Sequence, residues 1–492
     1  MAAPGTGNGG TSGSTQDEAT PLLAAAETGP TSQPNEESLL IPAASQQADD
    51  DDRPLPKVQI FLLCYARLVE PIAFFCIFPF INQMIWETGT VEQADVGFYS
   101  GLIESLFSMT QMFLMIFWGR AADRFGRKPV LVFSLAGAAI ATAFFGLSTT
   151  IWQMIVFRCL AGAFAGTVVT VRAMISENST PKTQARAFSF FAFTSNIGIF
   201  LGPMIGGVLS NPVDQYPSAF GKVQFFKDYP YALPTFATGA IGLSASIISA
   251  IFINETLDRK TAGRSSDTVP LTTWEVLKSP GVANVLYIYS HVMVLAFAYT
   301  AIFPIFCFTD PQLGGFGFSP FYIAIFLGGS GLSQALWTLL IFTPLQHRIG
   351  TGGVLRACAS AWPFFFLVMP ISNLLLRKGW NAAFWTLSST GVLVGSGASM
   401  AFIAVQLALN DISPSSSSLG TLNAIALAFV SGERAVAPAL FSSIYATGVR
   451  LGWLNGQLAF VILIVLALGL SFGLRWLPAK AEGKIKPARN EE

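Results

Sequence analysis

Charge is what this sequence has least of. Lys, Arg, Asp and Glu make up 11% of its 492 residues, where a soluble domain carries about 25%. Histidine is nearly missing, with only His291 and His347. The five cysteines (Cys64, Cys76, Cys159, Cys307 and Cys358) stand far apart inside apolar stretches, and none has the spacing of a metal or redox pair. These absences exclude a zinc site built from the usual ligands, and neither metal nor cofactor is expected. No phosphate-binding loop and no nucleophile with a base beside it is visible, so no enzymatic activity is expected. Basic and acidic residues number 28 each, which gives no bulk attraction to nucleic acid. Residues 1–52 hold no Lys or Arg, so no cleaved signal peptide is expected.

What is plentiful is apolar surface. Hydrophobic residues are 52% of the chain, and Phe alone occurs 43 times. They gather in blocks of about 18 or more residues, long enough to cross a bilayer core of roughly 30 Å as helices. The blocks run 58–82, 96–118, 129–148, 151–175, 184–209 and 230–253. After a hydrophilic break follow 281–309, 319–342, 353–373, 380–407, 416–446 and 452–477. The expected fold is an all-α membrane protein of twelve transmembrane helices in two six-helix halves, 57–253 and 281–477. Residues 254–280 form the linker between them. Residues 1–56 and 478–492 are expected as tails, the first disordered, because neither composition offers a core.

Basic residues mark a side. The connection after the second block, "GRAADRFGRK", holds Arg120, Arg124, Arg127 and Lys128, whereas the one after the first block holds no basic residue. By the positive-inside rule the even connections and both termini face the cytoplasm. Arg377, Lys378 and Arg450 fall on the other side and run against this assignment.

The same run recurs. At an offset of 224, residues 119–131 meet residues 343–355: Arg124 meets Arg348, Gly126 meets Gly350, and Val130-Leu131 meet Val354-Leu355. Both runs join the second and third helix of their half. His347 stands where Asp123 does, so a contact made by Asp123 should be strong in one half and weak in the other. Asp123 can accept bonds from a helix N-terminus or a nearby Arg, and so latch one conformation.

The run from Trp118 through Gly119, Asp123, Arg124, Gly126, Arg127 and Lys128 resembles the signature loop between helices 2 and 3 of the major facilitator superfamily. Its form W-G-x-x-x-D-R-x-G-R-K is similar to that of the drug:proton antiporter and zinc-induced facilitator-like branch. "SFFAFTSNIGIFLGPMIGG", with Gly198, Gly202, Pro203, Gly206 and Gly207, resembles the branch's helix 5 antiporter motif. "FRCLAGAFAG" with Arg158, and "NETL" at 254–257, resemble its helix 4 and helix 6 motifs, and "GERAVAP" is similar to a helix 11 motif of fungal members. The resemblance implies alternating access about a central substrate site, proton-coupled antiport of a small organic molecule, and a monomer. It implies that Arg158 assists proton coupling. There is no C-P-G-C and no histidine in the central loop, so it does not imply a zinc-related substrate.

Ionisable side chains at membrane depth are costly, roughly 2.5–3.5 kcal/mol each, and mark function by default. Arg67 and Glu70 share a face of helix 1 at i, i+3 and can also pair with each other. Glu104 has no partner on its own helix, the situation of a group that takes up and releases a proton. Arg67, Glu70, Glu104 and Arg158 are therefore the candidates for proton coupling. His291, Gln406, Glu433 and Arg434 are candidates for the cavity wall, although a lone His among aromatics is also an ordinary packed side chain. In the tail, Glu18 precedes Leu22-Leu23 as in acidic dileucine sorting signals, which suggests a sorting adaptor and leans toward the vacuolar over the plasma membrane. The alternatives on the same fold are a uniporter or proton symporter of a nutrient, or a non-transporting receptor.

Overall fold

The computed structural model describes residues 54–257, 273–414 and 418–483. Glu18, Leu22, Leu23 and most of the linker's charges lie outside the described residues.

Among the described residues the chain is helical and contains twelve membrane-length crossings. In the first half these are α1 (Lys57–Phe75), α2 (Val96–Phe125), α3 (Arg127–Phe145), α4 (Ile151–Ala163, resuming at Thr167–Glu177), α5 (Pro181–Leu209) and α6 (Ala232–Phe252). In the second they are α7 (Val282–Phe308), α8 (Pro320–Leu336 with a π-helical tail, Trp337–Phe342), α9 (the helix Thr343–Arg377), α10 (Asn381–Gly395 and Met400–Ile412), α11 (Leu419–Arg450) and α12 (Leu458–Gly473). By hydrogen bonding α8 and α9 form one unbroken run, and only the backbone of Gly350, at φ 76 and ψ 168, turns the chain between two crossings. Gly126 does the same between α2 and α3, at φ 112 and ψ 152. L side chains avoid this region, so the recurring glycine is the geometric content of the repeat.

Local chemistry sets several helix starts. Thr150 and Gln153 form a capping box at α4, and Pro181 and Pro320 occupy first turns, where a missing N–H costs nothing. The linker contributes a short helix, Thr273–Lys278.

The halves meet along two seams, α2 on α11 and α5 on α8. On α2 the seam is a stripe of small residues at i, i+4 and i+8. A Cβ on Gly97 would lie 3.1 Å from Ala446, and one on Gly101 would lie 2.5 Å from Ser442 Cβ. Ser105 Oγ accepts from the N–H of Ala439 at 2.8 Å, next to Pro438, which lies inside α11. Continued toward the charged loop, the same stripe is 36% exposed at Met109 and 65% at Ile116. Asp95 and Arg450 pair across the halves at 3.7 Å, and Trp86 meets Phe308 edge-on. These ties lie on the face away from the charged loop, so the halves are shut on that face and part toward the loop. The shut face also holds buried polar atoms with no hydrogen-bond partner: Ser442 Oγ in the seam, Ser100 Oγ beside Gly101, and the amide of Asn82.

Candidate functional site

Helix periodicity brings the scattered charges together. Arg67 and Glu70 are one turn apart on α1, and Nη1 donates to Oε2 at 3.2 Å. Glu104, Phe107 and Gln111 fall at i, i+3 and i+7 on one face of α2. Gln111 Nε2 donates to Glu70 Oε1 at 2.8 Å, so both oxygens of Glu70 are held. Glu104 is different. It is 3% exposed, its carboxyl makes no hydrogen bond or ion pair among the described residues, and its charged neighbours are Arg158 on α4 and Arg434 on α11.

The arginines rest on rings. Arg158 lies 4.4 Å from the ring centre of Phe107 and 5.5 Å from that of Phe74, and Arg434 lies 4.5 Å from Phe74. Arg67 and Arg172 lie 4.9 and 5.5 Å from Phe191. Arg158 is 2% exposed, yet its Nε and Nη2 bond to nothing, and neither does Nε of Arg67. Arg434 comes from the second half, so the cluster spans both.

The sequence suggests one continuous fourth helix, but the structure breaks it between Ala163 and Thr167. Carbonyls freed by such a break need donors, because lipid supplies none. Two side chains of α2 provide them. Trp118 Nε1 donates to the Ala163 carbonyl at 2.6 Å, and Gln111 Nε2 reaches that of Ala165 at 3.3 Å. The break lies beside Glu70's partner and aims the second piece, with Arg172, at the cluster.

The charged loop is a network within the first half. Asp123 pairs with Arg127 at 2.6 Å, and Arg127 Nε donates to Glu177 at 3.0 Å. The N-terminus of α3 is held by Glu255, not by Asp123. Its oxygens accept from the N–H groups of Arg127 and Lys128 at 2.9 and 3.1 Å. Burial pushes the Glu255 carboxyl up, but its backbone hydrogen bonds outweigh this and hold it below the ordinary value. A Cβ on Gly126 would lie 2.6 Å from Glu255 Oε2. Arg124 stacks on Phe125, and a Cβ on Gly119 would make ordinary contact with Val169 at 3.8 Å. In the second half Arg356 on α9 pairs with Glu482, whose carboxyl lies against Gly352 near the start of that crossing.

The helix 5 glycines divide between two tasks. Gly198, Gly202 and Gly206 face Pro71, Phe75 and Cys76 of α1, within the first half, and only Gly207 meets α8, at Ala324. Pro203 lies inside α5.

The second-half candidates separate as well. His291 stands apart from the charged cluster: Nε2 lies 2.9 Å from the Leu466 carbonyl on α12, and Nδ1 lies 3.2 Å from the Tyr287 hydroxyl. Glu433 lines an apolar groove of about 740 Å³ between α7 and α11, with Val294 and Val436. Gln406 belongs to a neutral network. Tyr289 donates to its Oε1 at 3.2 Å, and its Nε2 donates to Asn423 at 2.8 Å and to Asn410 at 3.2 Å. Tyr289 in turn is within electrostatic range of Arg172. Sequence reasoning named Gln406 but missed Gln111, Arg172, Glu255 and the partners of Gln406. For all but Glu255, which lies in the "NETL" run, the one signal is a polar residue in or beside an apolar block.

The model of the Major Facilitator Superfamily matches residues 63–391. The efflux pump azaK of Aspergillus niger is 49% identical over 95% of this chain and 96% of its own length. Zinc induced facilitator-like 1 of Arabidopsis thaliana is 28% identical over 84% of this chain and 89% of its own. A solved bacterial homologue of the lysosomal transporter Spinster, in an inward-facing and unoccupied conformation, superposes with a TM-score of 0.61. It is 17% identical and covers 89% of this chain and 100% of its own. The matched stretch and the near full-length similarity to azaK show that the chain is a multi-pass membrane transporter belonging to the Major Facilitator Superfamily.

Proposed function

We propose that the protein is a proton-coupled antiporter that exports a small organic molecule from the cytosol by alternating access. The observation that carries this reading is Glu104. It is buried between the halves, unbonded, and flanked by one arginine from each half. A carboxyl so placed gains a proton from one side and loses it to the other as Arg158 and Arg434 approach or withdraw. Glu70 is a weaker candidate because Arg67 and Gln111 hold both its oxygens. The charged loop faces the cytosol by its basic residues, so the state described here is open inward. The name of azaK, an efflux pump, supports the outward direction. The membrane is the vacuolar or the plasma membrane, with the Glu18, Leu22 and Leu23 signal read by a sorting adaptor, and the protein works as a monomer.

The test begins with an untargeted comparison of metabolites in cells with and without the gene. Flux of the compound that accumulates is then measured in proteoliposomes, with and without an imposed pH gradient. Antiport requires flux to follow the proton gradient, and Glu104→Gln to remove that dependence while the protein stays folded. Flux indifferent to the gradient makes the protein a uniporter. Unchanged coupling in Glu104→Gln removes Glu104 as the carrier.

A further inference from the structure

The central cluster carries a charge imbalance that proton coupling does not use. Arg67, Arg158, Arg172 and Arg434 lie within electrostatic range of one another in a linked set. Their acidic neighbours are Glu70 and Glu104. Glu433 adjoins Arg434 in sequence but turns to Ser290 and the groove on α7. Four guanidiniums therefore face at most three carboxylates. Glu70 is already engaged at both oxygens. Nε and Nη2 of Arg158 and Nε of Arg67 are buried donors without acceptors. A charged donor left unbonded in the interior is costly, and so are like charges held together. A bound anion relieves both.

The surroundings narrow the kind of anion. The guanidiniums lie against the rings of Phe74, Phe107 and Phe191, which hold each fork in place and leave N–H edges for a planar acceptor. The rings themselves are only 4–7% exposed, so the guanidinium edges are what a ligand meets. Near Arg172, Tyr289 and its amide partners supply neutral donors and acceptors of the kind that bind a carbonyl or hydroxyl. A small hydrated anion would leave these neutral groups unused. A cation would sit among four like charges.

We propose that this cluster binds an organic monoanion, its acidic oxygens held by Arg158 and Arg434 and its neutral polar groups by Tyr289 and its amide partners. The assignment rests on the transport reading of the same chamber but not on proton coupling.

Binding to the purified full-length protein tests it, by calorimetry at neutral pH without any gradient. The probes are naphthalene-2-carboxylate, 2-naphthylmethylammonium, 2-naphthalenemethanol and inorganic phosphate. The carboxylate binds, and the other three bind at least about 10-fold more weakly, the difference a charge-assisted bond makes. Arg158→Gln and Arg434→Gln each weaken the carboxylate by about 10-fold or more. Arg434→Lys keeps the charge but not the fork and falls between. Arg377→Gln, at the end of α9 away from the charged loop, leaves affinity unchanged. Glu104→Gln keeps or tightens binding while losing coupled flux, which separates this proposal from the coupling one. Thermal melts identify any variant that fails to fold, and Arg172→Gln then takes its place. The proposal is overturned if the ammonium, the alcohol or phosphate matches the carboxylate, if no organic probe binds, or if carboxylate affinity survives both glutamine variants.

Discussion

The two halves share a register and divide the chemistry. At the offset of 224 that aligns the two loops, Arg67 meets His291, Glu70 meets Val294, Glu104 meets Gly328 and Gln111 meets Ala335. The first half gives these positions to charge. The second gives them to packing: a Cβ on Gly328 would lie 2.8 Å from Met204 Sδ, and His291 is bonded to α12. The second half instead presents the neutral Tyr289, Gln406, Asn410 and Asn423 set, together with Arg434. A common scaffold thus fixes where helices turn, at Gly126 and Gly350, and leaves each half free to specialise.

The strongest way to break this comparison is to move the acid. Gly328→Glu places an unpaired carboxyl against Met204 and should cost about 3–5 kcal/mol, read as a lower melting temperature and yield. Combined with Glu104→Gln it should not restore coupled flux. Restoration would mean the halves are interchangeable. Next comes the seam between them. Gly101→Val puts a side chain 2.6 Å from the Pro438 carbonyl and should cost the shut face about 1–3 kcal/mol, read as a loss of flux of roughly 10-fold or more. Gly331→Ala, where the nearest atoms of Phe200 lie at 3.5 Å, should transport normally.

Smaller effects sharpen the contrast between the loops. Glu255 is exposed, so solvent keeps its contribution at the N-terminus of α3 to about 0.3–1 kcal/mol. Its folded pKa lies below the ordinary value. Its contribution is therefore complete above a pH of about 4.3 and is lost as pH falls through the lower folded value. Melts of Glu255→Gln against pH should be lower than wild type at neutral pH and should converge with it in acid. Glu482→Gln should shift the melt less, because the Arg356 side chain it pairs with is 46% exposed. The least change is expected from Asp123→Asn. Asp123 is 65% exposed in its pair with Arg127, so stability should move by less than about 0.5 kcal/mol.

Most of the fold was legible in the sequence, because a bilayer demands long apolar blocks and each block became a crossing. Their interruptions were harder to see. The apolar block 151–175 reads as one helix, and its break depends on Trp118 and Gln111 arriving from α2. The Arg67 and Glu70 pair follows from spacing alone, since both lie on one helix. Arg434 beside Phe74 does not, because it depends on how the halves meet. The loop motif identified Asp123 but not Glu255, whose partner N–H groups lie more than 120 residues away. His291 shows the limit of composition: a rare residue in an apolar helix is bonded by its neighbours, apart from the charged cluster.

The unbonded hydroxyls of Ser100 and Ser442 and the bare amide of Asn82 give the shut face a built-in recoil. Each buried polar group without a partner raises the energy of closure by about 1–3 kcal/mol, and water entering the seam returns it. Shape complementarity at Gly97 and Gly101 pulls the other way. Close fit and unmet polarity thus oppose each other on one face. Filling those vacant valences with partners would turn a reversible cycle into a dead end.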